Sequence, residues 1–255
     1  MFANPRHKSI EEIAEEWDRI APVRIEQILS GKDITFDYVL MPSIGMLLEG
    51  CRRGSLLDAG CGVGVIASKL GNTFKEVIGI DPSSRSIEIA RSNFGETADF
   101  RVTDIERFSR SNKKRFDVIL ANMVLMDAPS LDSFVKAVRG LLKPRGKFIF
   151  SITHPFFWPD YYGYKDENWF DYSKELFVES PFRISNYNDC QLVSTHIHRP
   201  VSQYVSSFGD AGLCLDRLLE PMPALAVDEM YPSKWQYPRY MLGLCHLSRS
   251  KAFTS

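Results

Sequence analysis

The sequence predicts an α/β fold built on a parallel sheet with helices on both faces. Three observations predict it. From Leu56 to Thr153, short apolar runs alternate with amphipathic ones, the pattern of repeated strand–helix units. The first run, Ser55-Leu56-Leu57-Asp58-Ala59, passes into Gly60-Cys61-Gly62-Val63-Gly64. Three glycines at every second position before an amphipathic stretch read as strand, tight turn and helix N-terminus. The first three runs also end in acids, Asp58, Asp81 and Asp104, where ligands bind in such sheets.

The elements follow in order. Ser9-x-x-Glu12 is a capping box before the periodic set Ile10, Ile13, Ala14, Trp17, Ile20 and Ala21, a helix that Pro22 should interrupt. Val23–Leu29 then resumes as a second short helix stopped by Gly31, Phe36–Leu40 fits neither period, and Pro42 opens a helix to about Glu49. Strand one is Leu56–Ala59, helix A Val65–Leu70, strand two Glu76–Asp81, helix B Ser84–Asn93, strand three Asp99–Asp104 and strand four Phe116–Asn122. Leu131–Leu142 is a helix, Lys143-Pro144-Arg145-Gly146 a turn, and Lys147–Thr153 strand five.

Pro155 ends this rhythm, and nine of the seventeen residues from Phe156 to Tyr172 are aromatic. Leu192–His198 reads as a strand, Val201–Ala211 as a helix, and Leu213–Leu219 and Tyr240–Leu247 as closing strands. The expected organisation is one domain over 1–255. It comprises a helical N-terminal cap (1–50), a ligand-binding half (51–154), an aromatic-rich insertion or lid (155–200) and the C-terminal part of the sheet (201–255).

Composition narrows the function. A chain of 255 residues with a formal net charge of −1 can bury a full core and offers no basic surface for nucleic acid. Its five cysteines are far apart without a C-x-x-C pair, which indicates neither a disulfide framework nor a zinc knuckle and fits a reducing, cytoplasmic setting. The first residues lack the apolar core of a signal peptide, and no run reaches membrane-spanning length.

The spacing Gly62-x-Gly64-x-x-Ala67 also satisfies the permissive dinucleotide fingerprint. Asp58 argues against it, because a carboxylate just before the glycine turn repels a diphosphate and suits an ammonium group. Asp81 is placed to accept from two vicinal ribose hydroxyls, and Asp104 from an exocyclic amine of a base. A ligand with adenine, ribose and a cationic amino-acid tail, S-adenosylmethionine, answers all three. Each acid also has a plainer reading as the cap of the helix that follows.

Leu57-Asp58-Ala59-Gly60-Cys61-Gly62-Val63-Gly64 resembles the glycine-rich first motif of class I S-adenosylmethionine-dependent methyltransferases of the small-molecule type. Ile80-Asp81 resembles their ribose-binding acidic end, Asp104-Ile105 their adenine-holding pair, Asp117-Val118-Ile119-Leu120-Ala121-Asn122 their fourth-strand motif, and Leu142–Lys147 the turn before strand five. The resemblance is close over 50–153 and looser over 199–247. It implies a Rossmann-like seven-stranded sheet of order 3-2-1-4-5-7-6 with strand seven antiparallel. It also implies that Gly60, Cys61, Gly62, Gly64 and Pro82 surround the cofactor, with Ile105 against adenine and the backbone at Ala121, Asn122 and Met123 near the methionine end.

Asn122-Met123-Val124-Leu125 departs from the Asn/Asp-Pro-Pro-aromatic end common in enzymes that methylate base or glutamine nitrogens. A small, partly aromatic or apolar acceptor is therefore expected, with O, N or C as the methylated atom. Trp17, Tyr38, Phe156, Phe157, Trp158 and Tyr204 are candidates to line its pocket. His154, at the end of strand five, is the candidate general base. His196 and His198 share one strand face without an evident third ligand, so no metal is expected. An RNA or protein methyltransferase, a nicotinamide-dependent oxidoreductase and a non-catalytic cofactor-binding module are the alternatives.

Overall fold

The computed structural model describes residues 2–184 and 192–248. Among them the sheet is made of β1 (Ser55–Ala59), β2 (Glu76–Asp81), β3 (Asp99–Val102), β4 (Phe116–Asn122), β5 (Leu142–Thr153), β8 (Leu213–Leu219) and β9 (Tyr240–Leu247). Its order is β3-β2-β1-β4-β5-β9-β8. The first five strands pair in parallel, and β9 runs antiparallel to both neighbours. With β8 and β9 as strands six and seven, this is the expected order.

Strand alternation sends successive side chains to opposite faces, so a sheet covered twice needs apolar residues at nearly every position. Leu57, Ile119, Phe148 and Phe150 face one core with α6 (Leu131–Leu141) and α8 (Val201–Asp210). Leu56, Val118, Leu120 and Ile149 face the other with α2 (Met41–Leu48), α3 (Val65–Leu70) and α4 (Ser84–Phe94).

The N-terminal reading needs correction. A single helix, α1 (Ile10–Leu29), runs through Pro22, opened by the reciprocal Ser9–Glu12 box. An interior proline costs about 3 kcal/mol. Here Ile20 and Ala21 are fully buried, Asp18 is held by Ser83 and Arg85 on one side of the proline, and Arg24 by Asp33 on the other. Tertiary anchoring on both sides outweighs the lost bond. Phe36–Leu40 forms a π-helical turn that leads straight into α2.

Two further differences are local. β3 stops at Val102, and Asp104 instead caps α5 (Ile105–Ser111), too short and weakly periodic to be read from sequence. The expected turn at 143–146 is a register break inside β5: Phe116 pairs with Leu142, but Val118 pairs with Lys147. After β5 come α7 (Trp158–Tyr162) and an antiparallel ribbon of β6 (Leu176–Pro181), which sequence reading missed, with β7 (Val193–His198). A short turn of helix, α9 (Leu225–Asp228), precedes β9. Cys51, Cys61, Cys214 and Cys245 are free thiols, and Cys190 lies outside the described residues. No helix among the described residues is long and apolar enough to cross a membrane.

Gly64, the N-cap of α3, has φ +83°, and a Cβ there would stand 2.8 Å from Ala90 and from the Phe100 ring. Gly64→Ala should therefore lower stability by roughly 2–4 kcal/mol through left-handed strain and overpacking. The check is the urea midpoint at unchanged m value; a loss below about 0.5 kcal/mol would mean that α4 and β3 simply give way.

Candidate cofactor and acceptor site

A cavity of about 570 Å³ opens over the carboxyl ends of β1, β2 and β4 and is roofed by α1, α7 and β7. That volume is in the range of small-molecule sites. At one end it is lined by Asp58, Gly60, Cys61, Gly62, Asp81, Pro82, Asp104, Ile105, Asn122 and Met123. At the other stand Trp17, Asp127, Trp158, Tyr161, Tyr162, Phe182 and His196.

The glycine turn is tied down before any ligand arrives. Gly60 and Cys61 donate their N–H groups to Ile80 O at 2.8 and 2.9 Å, and Gly62 N donates to Asp81 Oδ2 at 2.8 Å. The three glycines do different things. Gly64 is required by packing against α4 and β3, and Gly60 by Val124, which a Cβ would strike at 2.4 Å. Only Gly62, at φ +51°, faces open space. That is where a ligand can approach the backbone.

Two of the three acids, Asp58 and Asp81, have no cationic partner among the described residues. Asp58 is almost fully buried and accepts from Ala67 N–H, while its Oδ2 has no partner among the described residues. Burial, reinforced by the charge of Asp81, pushes its pKa up to about 7. Asp81 also accepts from Ser83 N at 2.8 Å, yet burial still raises it to about 6. The Cys61 thiol is driven up by burial and then by these two carboxylates, so it stays protonated and is not a nucleophile. Asp104 accepts from Arg107 N at 2.8 Å and pairs with its guanidinium at 3.2 Å; cap and cavity wall are one geometry.

Met123 carries the wall onward from β4. It is the one non-glycine residue among those described with left-handed backbone, φ +58°, and its N–H is fixed by Ser151 O and Oγ. Ser151 Oγ in turn donates to Asn122 Oδ1 at 2.7 Å. An irregular backbone held this firmly at a strand end marks a site.

Several expected site residues lie elsewhere. Ala121 points into the core beneath the cavity. Tyr38 and Phe156 are exposed and off the cavity. Phe157 stacks flat on Tyr237, centroids 4.8 Å apart, and Tyr204 lies on the apolar face of α8 in the core. His154 is buried behind the wall. Its Nδ1 accepts from Phe156 N and Phe157 N at 3.2 and 3.4 Å, so Nε2 carries the proton and donates to Glu220 at 2.7 Å. Both ring nitrogens serve the entry to α7, and neither faces the cavity. His196 meets the Tyr164 hydroxyl, and His198 donates to Tyr172 O.

Sequence reading missed Asp127, Tyr161, Tyr162 and Phe182. For Asp127 a signal existed: it is an acid closing the apolar run Met123-Val124-Leu125-Met126 just past β4.

Comparison with known proteins agrees with this geometry. Residues 57–150 match a family described as a methyltransferase domain. A ubiquinone biosynthesis O-methyltransferase from Methylocella silvestris is 39% identical over 109 residues, 42% of this chain and 41% of that protein. One from Cereibacter sphaeroides is 34% identical over 136 residues, 52% of this chain and 53% of that protein. The chain thus spans about half or less of the length of these curated relatives. A solved S-adenosylmethionine-dependent methyltransferase from Clostridium acetobutylicum shares the fold at TM-score 0.60 and 17% identity, covering 89% of this chain and 98% of that one. The glycine turn, the strand-end acids and the strand order thus lie within or beside the residues that match a methyltransferase domain, on a fold shared with solved S-adenosylmethionine-dependent methyltransferases.

Proposed function

We propose that the protein transfers the methyl group of S-adenosylmethionine, by in-line displacement, to a small aromatic or apolar metabolite, with oxygen the favoured acceptor atom. One observation carries this reading. The acids at or just past the ends of three strands meet on a single cavity, and burial, with a neighbouring carboxylate adding to it, raises the pKa of the two deepest, Asp58 and Asp81. A cationic ligand relieves that cost and a diphosphate increases it. The aromatic wall supports a small apolar acceptor, and the names of the curated relatives support oxygen.

When bound, the cofactor supplies a methyl group that is already electrophilic on its sulfonium. The residues present fit it: Asp58 Oδ2 for the ammonium, Gly62 for close backbone approach, Asp81 for the ribose hydroxyls, Asp104 and Ile105 for adenine, Asn122 and Met123 for the methionine end. The chain's remaining tasks are to orient the acceptor and keep water out. Trp17 and Trp158 line the cavity for the first task, and α1 roofs it for the second. His154 has no part in proton transfer, since both ring nitrogens are committed behind the wall.

In the ligand-free protein, the contribution of Asp58 and Asp81 to stability should fall as pH rises from about 4 to about 7. Unfolded carboxyls lose their protons near 4, whereas folded Asp81 and Asp58 keep theirs to about 6 and about 7. Asp58→Asn should flatten that fall and raise stability at pH 8 by roughly 1–3 kcal/mol. In calorimetry it should also weaken S-adenosylhomocysteine about tenfold or more; retained affinity would remove the ammonium assignment. Asp81→Ala should weaken the same ligand without unfolding the chain, and an unchanged affinity would sink the ribose assignment. The reaction itself is tested with methyl-labelled cofactor and fractionated host extract. Label should enter the small-molecule fraction. Label confined to RNA or protein overturns the acceptor class, and thermal stabilisation by NADH but not by the methyl donor overturns the chemistry.

A further inference from the structure

Asp127 is among the acids lining the cavity to which the cofactor reading gives no task. Asp127 lies in the loop between β4 and α6, at the aromatic end. Its Oδ2 accepts the indole N–H of Trp17 at 3.1 Å, and Oδ1 accepts no hydrogen bond from any described residue. The neighbouring acids differ. Asp33 is paired with Arg24 at 2.6 Å, Glu11 and Asp104 share Arg107, and Asp81 takes two backbone N–H groups.

The position of this carboxylate is fixed rather than adaptable. Arg199 donates to Leu125 O, Ala128 O and Pro129 O, at 2.9, 2.7 and 3.3 Å, gripping the loop on both sides of Asp127. Between them Met126 O accepts from Ile197 N of β7. Such placement is costly. Burial and the charges of Glu16 on α1 and Asp81 on β2 act against ionisation, and the Trp17 N–H and Arg199 offset them only in part. An apolar residue would serve the fold better at this position. A ligand that gives Oδ1 a hydrogen removes the cost, whereas an anionic ligand adds to it. Flat surfaces stand close by: Phe182 meets Trp17 edge-on at 5.6 Å, and Trp158 and Tyr162 are stacked at 4.9 Å.

We propose that Asp127 is the residue that receives the methyl acceptor, through a hydrogen bond from the acceptor's hydroxyl or amine to Oδ1, and that it selects against acceptors presenting a carboxylate or phosphate. The proposal rests on the methyl-transfer reading and adds the polar half of the acceptor class to it. The test uses the full chain loaded with S-adenosylhomocysteine and four ring probes: phenol, aniline, anisole and benzoate. Their affinities are measured by ligand-observed NMR on wild type, Asp127→Asn and Asp127→Ala.

Phenol and aniline should bind wild type at least about fivefold more tightly than anisole or benzoate. Asp127→Ala should erase that preference. Asp127→Asn should shift it towards benzoate, because the amide oxygen stays on Trp17 and its NH₂ turns to the cavity. The affinity for S-adenosylhomocysteine should stay within about twofold in both variants. Equal binding of phenol and anisole to wild type, a preference that survives both variants, or binding of no probe overturns the proposal. So does loss of S-adenosylhomocysteine binding in the variants alone, which would make Asp127 a scaffold residue. Failure of wild type to bind S-adenosylhomocysteine is the separate failure of the underlying reading.

Discussion

The guanidinium of Arg199 is the joint on which the aromatic half of the cavity depends. It is wholly buried and meets Glu175 at 2.5 Å besides the three carbonyls of the loop after β4. A buried cation persists only when its donors are satisfied, and the planar fork of arginine can reach several acceptors at fixed angles where lysine could not. One side chain thereby fastens three pieces: the loop after β4, the chain before β6, and the end of β7. The cavity floor comes from the parallel sheet. Its far wall comes from the segment after β5, and Arg199 sets the distance between them.

The roof has a similar economy. Glu16, Trp17 and Asp18 are consecutive on α1, and each reaches a different wall. Glu16 accepts from Thr195 N on β7, Trp17 donates to Asp127, and Asp18 accepts from Ser83 Oγ and Arg85 N at the start of α4. Side chains on a helix are about 100° apart, so a helix laid across an opening can touch opposite rims with adjacent residues. Lys8 extends the clasp, pairing with Glu16 and with Glu179 of β6. This is why Pro22 does not break α1: the helix is held from outside at both halves, and its own hydrogen bonds are the smaller part of its stability.

The parallel sheet was legible because its constraints are local. Strand period, glycine at a left-handed turn and an acid at a strand end all show within a few residues, and Asp58, Gly62, Asp81, Asp104 and Met123 fall on the cavity accordingly. The aromatic side was legible only in kind. An aromatic residue announces that it will be buried without saying against what. Tyr204 follows the apolar stripe of α8 into the core, Phe157 is taken by Tyr237, and Phe156 stays outside. His154 at the end of β5 looked chemical because histidine can move a proton. Its neighbours Phe156, Phe157 and Glu220 used both nitrogens for a turn, and Glu220, distant in sequence, could not be foreseen as a partner.

The acids show why the capping and ligand-binding readings need not compete. At the opposite edge of the sheet Asp117 is structural. Burial acts upward on its pKa, but Lys143 at 2.6 Å and the Ser55 N–H hold it below the ordinary carboxylate range. At the carboxyl edge Asp58 accepts from the first turn of α3 and Asp104 caps α5, while Asp81 braces the glycine turn. Parallel topology brings helix N-termini to this edge, and each favours a nearby negative charge. The helices thus recruit the acids, and the acids gather around one cavity. Unlike Asp117, Asp58 and Asp81 have no lysine or arginine partner among the described residues, and both are pushed up. A strand-end carboxylate that caps a helix yet stays short of a cation carries a cost that a cationic ligand would relieve, a cost that Lys143 has already removed at Asp117.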